Sequence, residues 1–128
     1  MFDNGKISIS MFGGVPLIEV YHNGELNLGD IEWVNNIVLH ELSPMLKPTM
    51  NIIIDRKGNY SLSKEALANM KELMKVTNCV AYIVYSSIQE NVVRMARSIY
   101  LSGKQVETFH SISAAHLWLG MNHSLAMA

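Results

Sequence analysis

A carboxylate, two cations, a phenol and a serine crowd into one short stretch as Asp55, Arg56, Lys57, Tyr60 and Ser63, and Ser86, Ser87, His110 and Ser111 follow the next two strand-like runs. Two cations beside serine-started helices suit an anion, because the first N–H groups of a helix and its dipole both favour negative charge. No Gly-rich phosphate loop accompanies them, and ordinary capping accounts for the serines equally well. His110 beside Ser111, in a chain that also carries Asp55, supplies the residue types of a nucleophilic triad, but no nucleophile-elbow motif frames a serine. Catalysis is therefore not expected. His22, His40, His110, His116 and His123 include no pair at i, i+4 spacing and join no compact Cys/His cluster, so neither a metal nor another cofactor is expected. Cys79 opens an apolar run, where an inert packed thiol is favoured over a redox sensor.

These groups need a scaffold, and the composition bounds it. At 128 residues the chain holds one domain's worth of material, residues 1–128, long enough to bury a core without disulfides. Apolar residues make up 49% and charged ones only 16%, a surplus for a small monomer that points to apolar surface meeting a partner. Ten Lys and Arg against eleven Asp and Glu give a net charge of −1, so no global field draws nucleic acid or an anionic membrane. The lone cysteine and an amino terminus without signal-peptide layout predict a cytoplasmic protein. The longest apolar run, Cys79 to Tyr85, falls far short of the roughly 20 residues a spanning helix needs, so no integral membrane segment is expected.

Two stretches set the fold class. Ile52-Ile53-Ile54 and Cys79 to Tyr85 carry no charged or amide side chain and each precedes a helical pattern, which reads as central strands of a parallel sheet. Before them, Ile7, Ile9 and Met11 alternate with serines, and after Gly13-Gly14-Val15-Pro16 a second run covers Leu17 to Tyr21, an antiparallel pair. Ile31, Val34, Val38 and Leu42 form one helical stripe, opened by a capping-box pattern at Asn27 and Asp30 and stopped by Pro44 before the strand at 50–55. A second helix, capped by Ser63, carries Ala66, Leu67, Met70, Leu73 and Met74. A third, with Ser87 and Glu90 as capping box, is predicted to bury Val92, Met95, Ala96 and Ile99 up to Gly103. Gln105 to Phe109 is the last strand, and Ser111 caps a last helix.

The alternating first and last strands belong at edges and the apolar ones in the middle. This gives an α/β fold: a five-stranded, mixed but mainly parallel sheet in sequential order, four helices, and an antiparallel first strand at one edge. Sequential right-handed crossovers place their helices on one face. The other face then needs a stray helix, a second subunit or an apolar ligand, because alternate side chains of the central strands point there. Val80, Tyr82 and Val84 are the candidate ligand or interface face, with Trp33 and Ile37, beside the first helical stripe, as further apolar contacts. Met70, Met74 and Met95 are assigned to the core. The tail, residues 120–128, is expected to be frayed or packed at an interface.

The chain resembles the STAS superfamily, the fold of bacterial anti-sigma-factor antagonists and sulfate-transporter tails, in its SpoIIAA-like branch. The resemblance rests on Gly24-Glu25-Leu26 leading to Asp30, on Ile52-Ile53-Ile54-Asp55, on the strand from Cys79, and on Phe109 followed by Ala115 and Trp118-Leu119. It implies a right-handed superhelix of strand-helix turns, shared with certain lipid-transfer domains, and a phosphorylatable serine directly after the aspartate that ends the central strand. Arg56 occupies that place here, and the nearest hydroxyls are Ser61 and Ser63. Ser63 is the possible phosphosite, since a phosphate there would meet a helix amino terminus.

The leading expectation is a non-enzymatic cytoplasmic module of regulatory, STAS-like type that acts by protein contact, as a homodimer or with another protein. The alternative is binding or sensing of a small apolar or lipid-like ligand on the sheet face near Tyr82, and an enzyme built on His110 ranks third.

Overall fold

A computed structural model describes residues 1–42, 50–99, 101 and 104–127. The elements are β1 (Phe2–Asp3), β2 (Ile7–Phe12), β3 (Val15–Val20), β4 (Gly24–Leu26), α1 (Leu28–Asn36), β5 (Met50–Asp55), β6 (Tyr60–Leu62), α2 (Lys64–Lys75), β7 (Thr77–Ile83), α3 (Ser87–Ile99), β8 (Gln105–Phe109) and α4 (Ile112–Met127). The main sheet runs β1-β2-β3-β5-β7-β8, in chain order apart from the small parallel pair β4-β6 set outside it. Strand β2 is antiparallel to both β1 and β3, and β3, β5, β7 and β8 are all parallel. The mixed, mainly parallel architecture with four helices is the one the hydrophobic pattern dictates. A two-residue strand outside the first hairpin makes the main sheet six-stranded rather than five, and neither β1 nor the β4-β6 pair has enough length to show in the periodicity.

Local chemistry sets the helix starts. Asn27 Oδ1 accepts the Asp30 N–H while Asp30 Oδ2 accepts the Asn27 N–H, a closed capping box. Ser63 Oγ accepts from Ala66 N at 3.1 Å and Ser111 Oγ from Ala114 N at 3.2 Å. At α3 the cap is Ser86, whose Oγ accepts from Gln89 N, one residue before the expected Ser87. The third residue of the box is then Gln89, not Glu90, and its Oε1 takes the N–H of Tyr85 at 2.8 Å. The predicted stops at Pro44 and Gly103 lie outside the described residues.

The core has two layers. Ile18, Ile52, Ile54, Val80, Tyr82 and Val84 face α1, α2 and α3, whose Ile31, Val34, Met70, Leu73, Val93 and Ala96 complete the larger layer. On the other side Leu17, Ile53, Cys79, Ala81 and Ile83 meet Ala115 and Leu119 of α4. Both middle strands are therefore dry on both faces. The stray helix is what covers the second face: alanines at 81 and 115, each fully buried, let α4 lie close on β7. Residues 120–127 continue this helix.

The same layering corrects the candidate ligand face. Val80, Tyr82 and Val84 sit beneath the three-helix layer, with Tyr82 only 2% exposed. Ile37 is buried too, because α1 widens into a π turn over Ile37–Glu41, marked by Leu42 N–H donating to Ile37 O at 2.9 Å, and the wide turn brings Ile37 and Val38 together onto the inner face. Trp33 is half-buried against the same layer. A different set is open instead: α3 turns Gln89, Val93 and Ala96 inward and leaves Ile88, Val92 and Met95 exposed, which removes Met95 from the core.

Candidate functional site

Because β3, β5, β7 and β8 are parallel, their carboxyl ends share one edge, and chain order delivers Glu19, Asp55, Tyr85 and His110 to it. Glu19 and Asp55 are register partners on neighbouring strands and point to the same side. Asp55 is 1% exposed; its Oδ1 accepts the Tyr85 hydroxyl at 2.8 Å, and its Oδ2 is buried with no hydrogen-bond partner among the described residues. Burial raises the Asp55 carboxyl above its ordinary range, outweighing the Tyr85 hydrogen bond and the Lys57 charge that lower it. Lys57 Nζ closes on Glu19 Oε2 at 2.5 Å, and that bond raises the lysine.

Arg56 belongs to the other layer. It is 5% exposed, its guanidinium lies 3.9 Å from the centre of the Tyr60 ring, and Nη2 donates to Tyr60 O at 3.1 Å. Neither cation of the predicted anion site is thus available: Arg56 is locked under Tyr60 and Lys57 is paired with Glu19. Ser63, Ser86 and Ser111 each spend their Oγ as a cap acceptor, and Ser87 is exposed within the first turn of α3. His110 Nδ1 lies 3.3 Å from Val84 O. A carbonyl only accepts, so Nδ1 carries the hydrogen, and the ring is held to the β7 end rather than to Ser111 or Asp55. The edge gathers the residue types of the sequence reading but distributes them among structural partners. Among the described residues no three His, Cys, Asp or Glu side chains converge as metal ligands would.

Sequence reasoning missed Tyr85 and Gln89. Gln89 is 4% exposed and ties three segments: Oε1 accepts from Tyr85 N, while Nε2 donates to Asn59 Oδ1 at 3.0 Å and to Gly58 O at 3.5 Å. A glutamine three residues after a serine was the available signal. Tyr85 projects from the same turn and is 57% exposed although its hydroxyl is bound. Burial first, then the bond to Asp55 and its charge, pushes the Tyr85 phenol up to about 12 from the ordinary 10.0. The folded state therefore holds this proton after the unfolded chain has released it, and stability falls as pH rises from 10 through about 12. Ultraviolet titration of tyrosinate should show a late-ionising component that is lost in Tyr85→Phe and that moves down toward the ordinary value in Asp55→Asn. An unchanged curve in both variants would show that the contact does not hold in solution.

The sequence matches no family model and no curated protein. Among solved structures it superposes on a protein of the DUF3478 family from Shewanella loihica PV-4, described as having a SpoIIAA-like fold. The TM-score is 0.66 at 22% identity, covering 93% of this chain and 98% of that one. The fold is SpoIIAA-like. In the SpoIIAA-like fold of this chain, the position after Asp55 belongs to a buried arginine rather than a hydroxyl. The match establishes architecture and brings no activity with it. No helix among the described residues is long and apolar enough to cross a membrane.

Proposed function

We propose that the chain is a non-enzymatic, cytoplasmic regulatory module of STAS-like type that works by protein contact and pairs with a second copy of itself through one flank of α3. A single observation carries this reading. Tyr85, Ile88, Val92 and Met95, exposed by 57%, 73%, 40% and 63%, form one row along the start and flank of α3. Spacings of three and four residues put Ile88, Val92 and Met95 on adjacent turns, so the row is continuous rather than scattered. The row carries no charge of its own, and two copies laid antiparallel about a twofold axis would each cover the other's apolar flank. The edge residues support contact rather than catalysis, since Asp55, Lys57 and His110 each hold a structural partner. Cys79 fits a reducing compartment: it is buried, and burial raises its thiol, so little reactive thiolate forms.

Size-exclusion chromatography with light scattering tests the pairing. A dimer is expected that dissociates on dilution, and Ile88→Glu with Met95→Glu should yield a folded monomer, because burying two carboxylates in an apolar seam costs several kcal/mol, about 2–4 in sum once the groups can partly reach water. A wild-type monomer at every concentration would remove the self-pairing.

A further inference from the structure

Strand β8 ends the main sheet, so one row of its backbone groups has no ladder partner among the described residues. The direction of that row can be read. Phe109 O accepts from Val84 N at 2.9 Å on the β7 side, so by alternation the peptide groups of Gln105, Glu107 and Phe109 turn inward and those of Val106 and Thr108 turn outward. The outward Thr108 N–H is not left to water: Glu107 Oε1 bends round to accept it at 3.2 Å. A carboxylate of the protein itself thus sits where the carbonyl of an added strand would sit.

Beside this edge, α3 and β8 enclose a cleft of about 60 Å³ whose floor is Val93 and Val106 and whose wall is Glu90, Arg94 and Arg97. Arg94 makes long 3.5 Å contacts with Glu90 and with Asn91 Oδ1, and Arg97 has no ion-pair partner among the described residues. An outward-turned row of backbone groups, an apolar floor and two cations above it make up the elements of strand addition. A second copy of β8 fits poorly, because it would bring a second Arg94 and Arg97 against the first pair. The charge complement is a carboxylate.

We propose that the β8 edge and the α3 flank carrying Arg94 and Arg97 form an acceptor site for an extended segment of another protein, one in which a β-branched apolar residue stands two positions from an acidic one, so that both side chains fall on the α3 face. The segment's carbonyl takes the Thr108 N–H from Glu107, its apolar side chain enters the cleft over Val106, and its carboxylate pairs with Arg97 and Arg94. This surface is the flank of α3 opposite the apolar row, so it stands whether or not the chain pairs with itself.

Selection from a displayed library of random peptides against the full chain tests this. Enrichment of sequences with an acidic residue two positions from Val or Ile is expected, and amide shifts on adding an enriched peptide should centre on Val106 to Thr108 and on Arg94 and Arg97. Arg94→Glu with Arg97→Glu should weaken that peptide about tenfold or more, reversing two charge-assisted contacts. Thr108→Pro removes the outward donor without touching the β7 ladder and should abolish binding, whereas Thr108→Ala should retain it. No enrichment, a basic consensus, shifts confined to Ile88, Val92 and Met95, or binding unaffected by the arginine reversal would each overturn the proposal. Should Thr108→Pro fail to fold, the arginine pair and the shift map decide it alone.

Discussion

Truncating Tyr82 to alanine should cost about 3–5 kcal/mol of folding stability, read from urea unfolding as a lowered midpoint at unchanged slope. The ring is 2% exposed and lies between β7 and the three-helix layer, so its removal leaves a cavity that neighbours on β5 and the helices cannot collapse to fill. Set against the roughly 5–15 kcal/mol that holds a domain together, the variant would be marginal at body temperature. The measurement also bears on function. Had Tyr82 lined an open face kept for a lipid-like ligand, its truncation would relieve exposed apolar surface and change stability by about 0.5 kcal/mol or less. A loss that small would reopen the ligand reading.

The second large effect is expected at Gly58. A Cβ built there would lie 2.3 Å from His22 O and 2.7 Å from Tyr21 C and O, and these are backbone atoms that cannot swing away. The same residue donates its N–H to Val20 O at 2.8 Å and accepts from Gln89, so it clamps the β5 exit loop to the end of β3 and to the first turn of α3. Gly58→Ala must break one of these ties, at a cost of about 3 kcal/mol, the upper end of what overpacking exacts. Amide spectra should show the disturbance spreading to Gln89 and Tyr85. Gly120→Ala is the control: among the described residues nothing stands within 4 Å of a Cβ built there in α4, and alanine should gain about 0.5–1 kcal/mol. Equal behaviour of the two alanine variants would show that the loop is not packed as described.

Both effects arise at positions where a sequence reading could not have foreseen them. Nothing in Lys57-Gly58-Asn59 distinguishes a glycine pressed against another backbone from one in an open turn, since the partner strand is more than thirty residues away in the chain. Tyr82 could be seen to be buried, because no polar neighbour interrupts its run. Which layer it entered was invisible.

What the amino-acid order determined by itself was the set of elements and their succession. An uninterrupted apolar run must be a strand covered on both sides, and Ile52 to Ile54 and Cys79 to Ile83 are; a serine or asparagine before an apolar-periodic run caps a helix with its own side chain, as Asn27, Ser63 and Ser111 do. Such features are local, decided within a few residues, and survive in any context. The tertiary structure alone decided which side of each element looks inward. Helix α3 is strongly amphipathic, but its apolar sector is wide enough to hold Ile88, Val92 and Met95 beside Val93 and Ala96, so the two rows compete for the core and periodicity alone does not choose between them. The tie is broken by Gln89, a buried amide that can satisfy its hydrogen bonds only against Tyr85, Gly58 and Asn59 and thereby sets the rotation of the helix. The second sheet face was settled in the same manner, by α4 crossing over two small residues brought together from Ala81 and Ala115. Burial depends on partners distant in the chain, and those exist only once the chain has folded.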